Sequence, residues 1–399
     1  MPIPVVPAVV SPTRHDASSS AEVAALVAHA RAVPSAVREA FAGKLAELGT
    51  SEALVMVRTC HRVELYIALG TLGELQLPQA PRGVVRLDGA DAARHLISVA
   101  CGLESTVLGE DQVLHQVRQT YACRRAAGPL DPTLDRLFQV ALQAGRRARE
   151  WFGGERRSLG DVALDEIERR VTTLEGSRIL VVGAGSTGRL AAVAAARRGA
   201  QVLVTSRTDA RALAVARDVG GQMVPWARGD LPALDGVIVA LSGLWAVSDE
   251  AVRQLVDSHA PVVDLSSPLA IPDRLRAGLG ELFVSVDDLA WGPQTQLRDG
   301  LRNRLETLVS ESGRDYCRWL RAREAQPAIK GLTEVIERRR RSEMEWLMRR
   351  LPGLSEEETA LIEQMSHRLV GGILHAPRCA LNVDETGDLG RAARELFGL

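Results

Sequence analysis

The sequence predicts an α/β protein in which a mixed region, a doubly wound parallel sheet and an all-helical end follow one another. Between about residues 152 and 292, short apolar runs alternate with helical patterns, which is the signature of a parallel sheet. Strand-like and helix-like patterns are mixed before that region, and after it apolar residues recur only at helical spacing. We therefore expect three domains, at residues 1–151, 152–292 and 293–399.

Composition narrows the class of protein. The 399 residues are 46% hydrophobic, 25% charged and 4% aromatic, with a formal net charge of −1, which is typical of a globular chain and disfavours a uniformly basic one. Five scattered cysteines without a CxxC pair argue against a disulfide framework and against a metal site. No apolar run approaches the ~20 residues of a membrane span, and the first ten residues lack the basic start of a signal peptide. We therefore expect a cytoplasmic protein with no DNA or membrane partner.

The first domain contains two strand-like runs, residues 54–57 and 63–69, with the tetrapeptide TCHR between them. A helix is expected from Pro132 to Trp151, because apolar residues recur there at helical spacing. Arginines cluster at the end of that helix, at positions 146, 147 and 149.

In the second domain we predict strands at residues 179–182, 202–205, 237–241, 262–265 and 282–286. The first of them leads into the glycine-rich hexapeptide GAGSTG and then into an alanine-rich helix. Gly183 permits the tight turn, Gly185 lets the backbone approach a pyrophosphate, and Gly188 lets the helix pack on the strand. The helix N-terminus offers free N–H groups to an anion. We predict a dinucleotide site here, formed by Gly183, Ala184, Gly185, Ser186, Thr187 and Gly188.

The end of the next strand predicts which dinucleotide binds. An NAD site would carry an acidic residue there, to hold the ribose 2′-hydroxyl group. This chain instead has Ser206, Arg207 and Thr208, so no carboxylate repels a 2′-phosphate and the arginine can pair with it. The sequence therefore favours NADPH, although a solvated surface arginine would look the same.

The third domain has an apolar stripe formed by Leu297, Leu301, Leu305 and Leu308, an interruption at Pro327, and a second stripe from Leu361 to Leu374. A long helix of this kind has to bury its stripe. A second copy of the chain and an intramolecular helical bundle both satisfy that need, and the sequence leaves both open.

Cys60 lies between two strands and next to Arg58, His61 and Arg62. Positive neighbours lower the pKa of a thiol and so favour the nucleophilic thiolate, although a cysteine is more often a packing residue. The other four cysteines lie on apolar or helical faces, and we expect them to be inert.

A second polar cluster follows His95. It includes Ser105, Glu110, Asp111, Gln112 and Gln116, which lie between apolar helical stretches. Such a cluster could bind a zwitterionic substrate through hydrogen bonds, or it could be a capped loop, and the local pattern does not decide between them.

Together these segments resemble the glutamyl-tRNA reductase family. The resemblance rests on TCHRVELY, on the block from Arg94 to Tyr121 that contains GLESTVLGEDQ, on GAGSTG followed by SRT, on VDLSSP and VDDL, and on the late SHRLVGGILHAP. It extends over roughly residues 54 to 380 in the family's order. It implies an N-terminal α/β catalytic domain, a Rossmann-type NADP(H) domain and a C-terminal all-helical dimerisation domain with a long linking helix.

The resemblance also implies a function. The family reduces the glutamyl group of glutamyl-tRNA to glutamate-1-semialdehyde, the first step of five-carbon tetrapyrrole synthesis, through a cysteine thioester. Carried onto this chain, it implies that Cys60 is the nucleophile and that His95 assists proton transfer. Further residues are implied to bind the substrate: Thr59, His61, Arg62, Ser105, Glu110, Asp111, Gln112 and Gln116. Implied partners are glutamyl-tRNA, a second copy of the chain and glutamate-1-semialdehyde aminomutase. Because Arg146, Arg147 and Arg149 cluster in the same domain as Cys60, we expect them to contact the tRNA phosphates, although a solvated helix face would show the same pattern.

The chain departs from the family pattern in three places. His61 replaces the usual asparagine of TCNR, and Leu269 replaces an arginine after the late strand. The N-terminal His-Thr-Ala-Pro pattern has two possible positions, His15 with Ala17, or Pro34 with Arg38 and Glu39.

Two other functions would fit parts of the sequence. A shikimate-dehydrogenase-like enzyme acting on a small molecule would account for the second domain, but it would leave TCHR and GEDQ without a role. A catalytically silent relative that binds tRNA or a pathway enzyme would have no need of Cys60, His95 and GAGSTG together.

Overall fold

A computed structural model describes residues 23–105, 111–152, 158–226, 231–289, 299–384 and 388–398. The chain divides into two compact units, the first extending to Gly313 and the second beginning at Arg314. The first unit contains both sheets. The domain bounds at residues 151 and 292 stay a prediction.

The described residues of the N-terminal part form a four-stranded sheet and four helices. Their bounds, in chain order, are β1 (Val23–His29), α1 (Ser35–Ala46), β2 (Leu54–Arg58), β3 (Arg62–Ala68), β4 (Val85–Asp88), α2 (Gly89–Cys101), α3 (Asp111–Ala126) and α4 (Pro132–Trp151). The strand order is β2-β3-β1-β4, and every pairing is antiparallel. The predicted helix α4 is confirmed, and the side chain of Asp131 caps it by accepting a hydrogen bond from the Thr133 amide.

The sheet buries an apolar core under α1 that includes Phe41, Leu45, Val63 and Leu65. Its opposite face carries Tyr66, whose ring packs edge-on against Phe138 of α4. Because neighbouring residues of a strand point to opposite faces, β3 places Val63 and Leu65 under α1, and Arg62, Glu64 and Tyr66 under α4.

The next part is a six-stranded parallel sheet with helices between its strands. Its elements are α5 (Leu159–Glu168), β5 (Arg178–Val182), α6 (Ser186–Arg197), β6 (Gln201–Thr205), α7 (Asp209–Asp218), β7 (Gln222–Met223), β8 (Gly236–Val239), α8 (Asp249–Asp257), β9 (Val262–Asp264), α9 (Asp273–Leu279), β10 (Phe283–Ser285) and α10 (Val286–Leu289). The strand order is β10-β9-β8-β5-β6-β7, and all pairings are parallel. This is the Rossmann order, so the predicted doubly wound sheet is confirmed.

The order of the strands reverses direction between β5 and β8. Apolar residues fill both faces of the sheet, with Val181 and Ile238 on one face and Leu180 and Val239 on the other. Ligands of open α/β sheets bind at such a switch point, beyond the carboxyl ends of the strands.

The C-terminal part is helical, as predicted: α11 (Asp299–Arg350), α12 (Glu356–Val383) and α13 (Asp388–Phe397). The predicted interruption at Pro327 is wrong, because α11 continues through it. Proline removes one backbone donor from a helix, and in a helix of 52 residues the loss of one hydrogen bond does not end the helix.

The two predicted stripes differ in their surroundings. Leu305 and Leu308 are already buried within the single chain, so of the two alternatives that the sequence left open, burial by a second copy of the chain is not needed for them. Leu297 lies outside the described residues. The stripe of α12 is different, because Leu361, Met365, Leu369 and Ile373 are each more than half exposed.

Candidate active site

Cys60 is at the tip of the hairpin between β2 and β3. The amide of Thr59 donates to the carbonyl of Arg62 at 2.9 Å, which closes the turn and leaves Cys60 and His61 as its two central residues. Arg38 of α1 donates through Nη2 to the carbonyl oxygen of Cys60 at 3.0 Å. Cys60 itself is half-buried, and the hairpin and α1 together fix its backbone.

Cys60 lines a cavity of about 330 Å³ at the switch point of the parallel sheet. The hexapeptide after β5 contributes five of its residues, and the other walls follow β6, β8 and β9. The lining residues are Cys60, Gly183, Ala184, Gly185, Ser186, Thr187, Ser206, Arg207, Thr208, Arg211, Ala240, Leu241, Ser242, Leu265, Ser266 and Ser267. The fold therefore brings the predicted nucleophile and the predicted dinucleotide loop to one cavity.

Two glycines of the hexapeptide are required by the backbone. Gly183 has φ = +122°, and a Cβ atom there would lie 2.1 Å from the carbonyl oxygen of Ala240. At Gly188 a Cβ atom would lie 2.0 Å from the carbonyl oxygen of Gly183. A Cβ atom at Gly185 would meet no atom within 4 Å, so this glycine leaves open space on the cavity side.

The cavity suits a dinucleotide phosphate. Gly185 is the N-cap of α6 and has no side chain to satisfy the first amides of that helix, which are therefore available to an anion. Arg207 donates to Ser242 Oγ at 3.0 Å, and Arg211, which the sequence analysis missed, is a second cation in the lining. None of the described residues that line the cavity is acidic.

A buried acid–base cluster lies beneath the hairpin. Glu64 is fully buried, its Oε1 lies 2.9 Å from Nε2 of His95, and its Oε2 accepts a hydrogen bond from Tyr66 Oη at 2.7 Å. Nη1 of Arg62 is 3.7 Å from the same Oε1. Glu64 is therefore the group that orients His95, and sequence reasoning assigned it no role, although a single acid within the apolar run of β3 was a usable signal.

The electrostatics of this cluster favour a charged pair. Burial in itself disfavours an ionised Glu64, but the adjacent His95 and Arg62 outweigh it and lower the pKa of the carboxyl group to about 2. Burial also disfavours the imidazolium form of His95, but Glu64 outweighs it and raises the pKa of the ring above its ordinary value. His95 therefore keeps its proton up to a higher pH than a free histidine does.

Unsatisfied polar atoms lie next to this cluster. The guanidinium of Arg62 is 1% exposed and donates to the carbonyl of Glu104, yet its Nε and Nη1 have no hydrogen-bond acceptor among the described residues. Ser105 Oγ is likewise buried without a hydrogen-bond partner in the described part of the chain. Buried donors of this kind are costly unless a ligand satisfies them.

The other predicted substrate residues are dispersed. His61 is buried, and its Nε2 lies 2.9 Å from the carbonyl of Val286; burial, with Arg62 and Arg38 nearby, lowers the pKa of the ring to about 4. Thr59 Oγ1 accepts from the His61 amide at 3.3 Å. Gln112 donates to Thr187 Oγ1 at 3.4 Å, beside the dinucleotide loop.

The last three predicted substrate residues are Gln116, Glu110 and Asp111. Gln116 lines a second cavity of about 420 Å³, together with Arg58 and Cys123, and does not line the cavity of Cys60. Glu110 lies outside the described residues, and so does the side chain of Asp111.

The arginines at the end of α4 divide into two groups. Arg146 and Arg147 are exposed, whereas Arg149 is buried and donates to the carbonyl of Ala100 at 3.2 Å. Arg149 is therefore a structural residue, and the expectation of a tRNA contact there is wrong.

Of the two positions considered for the N-terminal pattern, Pro34 with Arg38 and Glu39 lies beside Cys60. Arg38 contacts the Cys60 carbonyl, and Glu39 pairs with Arg58. His15 lies outside the described residues.

The comparisons with known proteins agree with this geometry. Residues 13–151 match the family model "Glutamyl-tRNAGlu reductase, N-terminal domain". The glutamyl-tRNA reductase of Chloroflexus aggregans is 32% identical over 386 residues, which cover 86% of this chain and 84% of that protein. The chain belongs to the glutamyl-tRNA reductase family. The resemblance seen in the sequence is confirmed, and so is the fold class that it implied.

Further matches to known proteins fall in other parts of the chain or cover most of it. Residues 304–399 match the family's dimerisation-domain model, and residues 165–291 match a shikimate/quinate 5-dehydrogenase model. The glutamyl-tRNA reductase of Thermomicrobium roseum is 34% identical over 322 residues, 74% of this chain and 77% of that one. The solved glutamyl-tRNA reductase of Methanopyrus kandleri is 25% identical, covers 95% of this chain and 100% of its own, and has a TM-score of 0.47.

No helix within the described ranges is both long and apolar enough to cross a membrane. The same residues contain no group of three or more His, Cys, Asp or Glu side chains placed to hold a metal ion.

Proposed function

We propose that this protein uses NADPH to reduce the glutamyl group of glutamyl-tRNA to glutamate-1-semialdehyde, the first step of five-carbon tetrapyrrole synthesis. The observation that carries the proposal is that Cys60 lines the same cavity as the dinucleotide loop. A shikimate-type dehydrogenase would account for the loop alone and would leave the hairpin thiol unexplained.

In the proposed reaction, Cys60 is the nucleophile. Its thiolate attacks the carbonyl carbon of the glutamyl ester, the bond to the 3′-oxygen of the tRNA breaks, and a glutamyl thioester remains on Sγ. A thioester accepts hydride more readily than an ester, so covalent capture divides one difficult step into two easier ones. When NADPH is bound in the cavity, its nicotinamide supplies the hydride.

We assign the proton on His95 to the departing tRNA oxygen. Nε2 is held by Glu64, which leaves Nδ1 as the other titrating atom of the ring. The raised pKa of His95 keeps that proton available near neutral pH.

We assign recognition of the substrate's carboxylate to Arg62, helped by Ser105. Arg62 Nε and Ser105 Oγ are buried donors with no hydrogen-bond acceptor in the described part of the chain, and the carboxylate of the substrate could accept from both.

The decisive assay combines purified protein, glutamyl-tRNA and NADPH. The proposal expects equal amounts of semialdehyde, free tRNA and oxidised cofactor. Oxidation of NADPH by the ketone that corresponds to shikimate or quinate, with no use of glutamyl-tRNA, would favour the small-molecule dehydrogenase instead. Binding of tRNA with no turnover at all would favour the silent relative.

We propose NADPH rather than NADH because Arg207 and Arg211 line the cavity without an acidic neighbour in its described lining. Replacing Arg207 with alanine should weaken NADPH binding by about tenfold or more and leave NADH binding nearly unchanged, since only NADPH carries the 2′-phosphate. Fluorescence titration of both cofactors measures this. Arg189→Ala is the matched control, because Arg189 lies on α6 but pairs with Asp218 outside the cavity. Equal losses for NADPH and NADH would contradict the assignment.

We propose a homodimer that covers the exposed stripe of α12. Exposed apolar patches of this kind mark interaction surfaces. Leu369→Asp should convert the dimer into a monomer at micromolar concentration in sedimentation experiments, because a charge would have to be buried at the interface. Leu213→Asp, an exposed leucine of α7, is the control and should sediment as the unmodified protein does. A dimer that survives Leu369→Asp would exclude this surface.

Two assignments follow from the proposed chemistry. We propose that the reaction takes place in the cytoplasm, in keeping with the five cysteines being free thiols. The product is a reactive amino aldehyde, so we propose that glutamate-1-semialdehyde aminomutase receives it directly.

A further inference from the structure

The hairpin that carries Cys60 and the adjacent helix α1 are hydrogen-bonded to two consecutive residues that follow β10. His61 Nε2 lies 2.9 Å from the carbonyl oxygen of Val286. Arg38 Nη2 donates to Asp287 Oδ1 at 2.8 Å, and the Ser35 amide donates to Asp287 Oδ2 at 3.0 Å. We call this set of contacts, formed by Ser35, Arg38 and His61 with Val286 and Asp287, the hairpin clamp.

Arg38 connects the two sides of the hairpin clamp through one guanidinium group. The residue is completely buried, and its Nη1 is fixed by the carbonyl of Val33 at 2.7 Å. Its Nη2 bonds both to the carbonyl oxygen of Cys60 and to the carboxylate of Asp287. A buried arginine with defined acceptors has little freedom to reorient, so the backbone of Cys60 is held at a fixed place relative to Asp287.

A neighbouring set of contacts, made by Glu39, also links the hairpin to the nucleotide-binding part of the chain. Glu39 of α1 pairs with Arg58 at the end of β2 and accepts a hydrogen bond from Ser267 Oγ at 3.2 Å. Ser267 lines the cavity that also contains Cys60 and the dinucleotide loop. The contacts therefore join the hairpin to the nucleotide-binding part of the chain at the rim of the cavity.

We propose that the hairpin clamp holds Cys60 against the dinucleotide cavity and that Asp287 is its positioning residue. Asp287 does not line the cavity, so it acts through Arg38 and not on the cofactor. The consequence for catalysis rests on the proposed function, whereas the positioning of Cys60 can be tested without substrate or cofactor.

The chemical consequence concerns the second half-reaction. A thioester on Cys60 has two fates: water adds to its carbonyl carbon and releases glutamate and the thiol, or hydride and a proton are added and release the aldehyde and the thiol. The first needs only water, whereas the second needs a donor held close to the carbonyl carbon. A displacement of about 1 Å can cost about 10²-fold in such a step. Loosening the hairpin clamp should therefore shift the outcome towards glutamate.

The chain offers a matched control in the next residue. Asp288 is also an acid of α10, but its Oδ2 accepts from the amide and hydroxyl of Ser285, within its own segment. Asp287→Ala and Asp288→Ala thus remove the same group at adjacent positions, and only the first breaks contacts to α1.

The first experiment measures the accessibility of Cys60 in the full chain, with no substrate or cofactor. Iodoacetamide is applied at pH 9.5, where most thiols ionise, and the labelling rate of Cys60 is read by peptide mass spectrometry relative to the exposed Cys123. Asp287→Ala should raise the relative rate by at least about threefold, since opening of the hairpin becomes more frequent. Asp287→Asn, which keeps an acceptor oxygen, should lie between Asp287→Ala and the unmodified protein, and Asp288→Ala should equal the unmodified protein.

The second experiment uses glutamyl-tRNA. With NADPH, the ratio of semialdehyde to glutamate formed by Asp287→Ala should fall by about tenfold or more, and because both products come from the same thioester, this ratio does not depend on how fast the thioester forms. Unchanged labelling and an unchanged product ratio in Asp287→Ala would overturn the hairpin clamp, and so would equal changes in Asp288→Ala. If the unmodified protein forms neither product, the proposed function fails, and the labelling result still decides whether Asp287 positions Cys60.

Discussion

Cys60→Ser is expected to lower the reduction of glutamyl-tRNA by at least about 10³-fold while leaving the fold intact. A serine hydroxyl does not ionise near neutral pH, so it supplies almost no anion to attack the ester. Cys60 is half-buried at a hairpin tip, and exchange of sulfur for oxygen there removes little packing. Turnover is measured as semialdehyde formed per enzyme, and thermal unfolding checks the fold.

Cys123→Ser is the matched control for this change. Cys123 is an exposed thiol of the same domain and lies in the second cavity, so its replacement should leave turnover unchanged. Cys101 makes a poor nucleophile, because burial raises the pKa of its thiol to about 12. Full activity of Cys60→Ser, or a loss in Cys123→Ser as large as in Cys60→Ser, would refute Cys60 as the nucleophile.

Glu64→Gln is expected to lower turnover by about 10²-fold and to reduce the free energy of unfolding by about 3 kcal/mol. The amide still fills the space of the carboxylate, but it no longer supplies the negative charge that raises the pKa of His95. The pKa of His95 should therefore fall, and the alkaline limb of the pH–rate profile should move to lower pH. The profile separates this electrostatic role from simple loss of folded protein.

The loss of stability should depend on pH in a defined way. The pKa of Glu64 falls from 4.5 in the unfolded chain to about 2 in the folded one. The stabilisation that ionised Glu64 gives the folded protein is therefore complete above pH 4.5 and is lost as the pH falls towards 2. The pKa of His95 is raised from 6.5 on folding. The stabilisation that protonated His95 gives the folded protein is therefore complete below pH 6.5 and is lost as the pH rises through the raised pKa. The destabilisation by Glu64→Gln should therefore be largest between about pH 4.5 and 6.5.

Tyr66→Phe is the control for the Glu64 prediction. It removes the hydroxyl that donates to Glu64 but leaves the contact between Glu64 and His95 in place. It should move the pH–rate profile much less than Glu64→Gln does. Equal shifts in the two variants, or no shift in Glu64→Gln, would show that Glu64 does not set the charge of His95.

The elements that the sequence predicted are those with local signals. The turn from β5 into α6 depends on glycines whose Cβ atoms would collide with the backbone, and such glycines are visible in the sequence. Helix α4 begins at a proline that follows a capping aspartate, which is also a local pattern. Cys60 could be placed between two strands because both flanking runs were apolar.

The features that the sequence did not predict depend on contacts between distant residues. Strand β1 lies inside its sheet, between β3 and β4. The sequence did not predict it, because the family's N-terminal pattern had two possible positions in this part of the chain. The acid–base pair of Glu64 and His95 depends on which face of β3 packs under α2 and α4. Arg38 and Asp287 are 249 residues apart in the chain, and no spacing rule connects them. The sequence left open whether a second copy or the same chain buries Leu305 and Leu308, because the stripe shows only that one helix face is apolar and not what covers it.

The central claim of this account is that a glutamyl thioester forms on Cys60, and trapping that adduct tests it most directly. Glutamyl-tRNA is mixed with excess protein without NADPH, the reaction is quenched in acid, and peptides are analysed by mass spectrometry. The account predicts one glutamyl group on the peptide that contains Cys60, its loss on treatment with hydroxylamine, and its absence in Cys60→Ser. Formation of semialdehyde by a protein whose Cys60 peptide never carries a glutamyl group, or that carries it on another cysteine, would contradict the account.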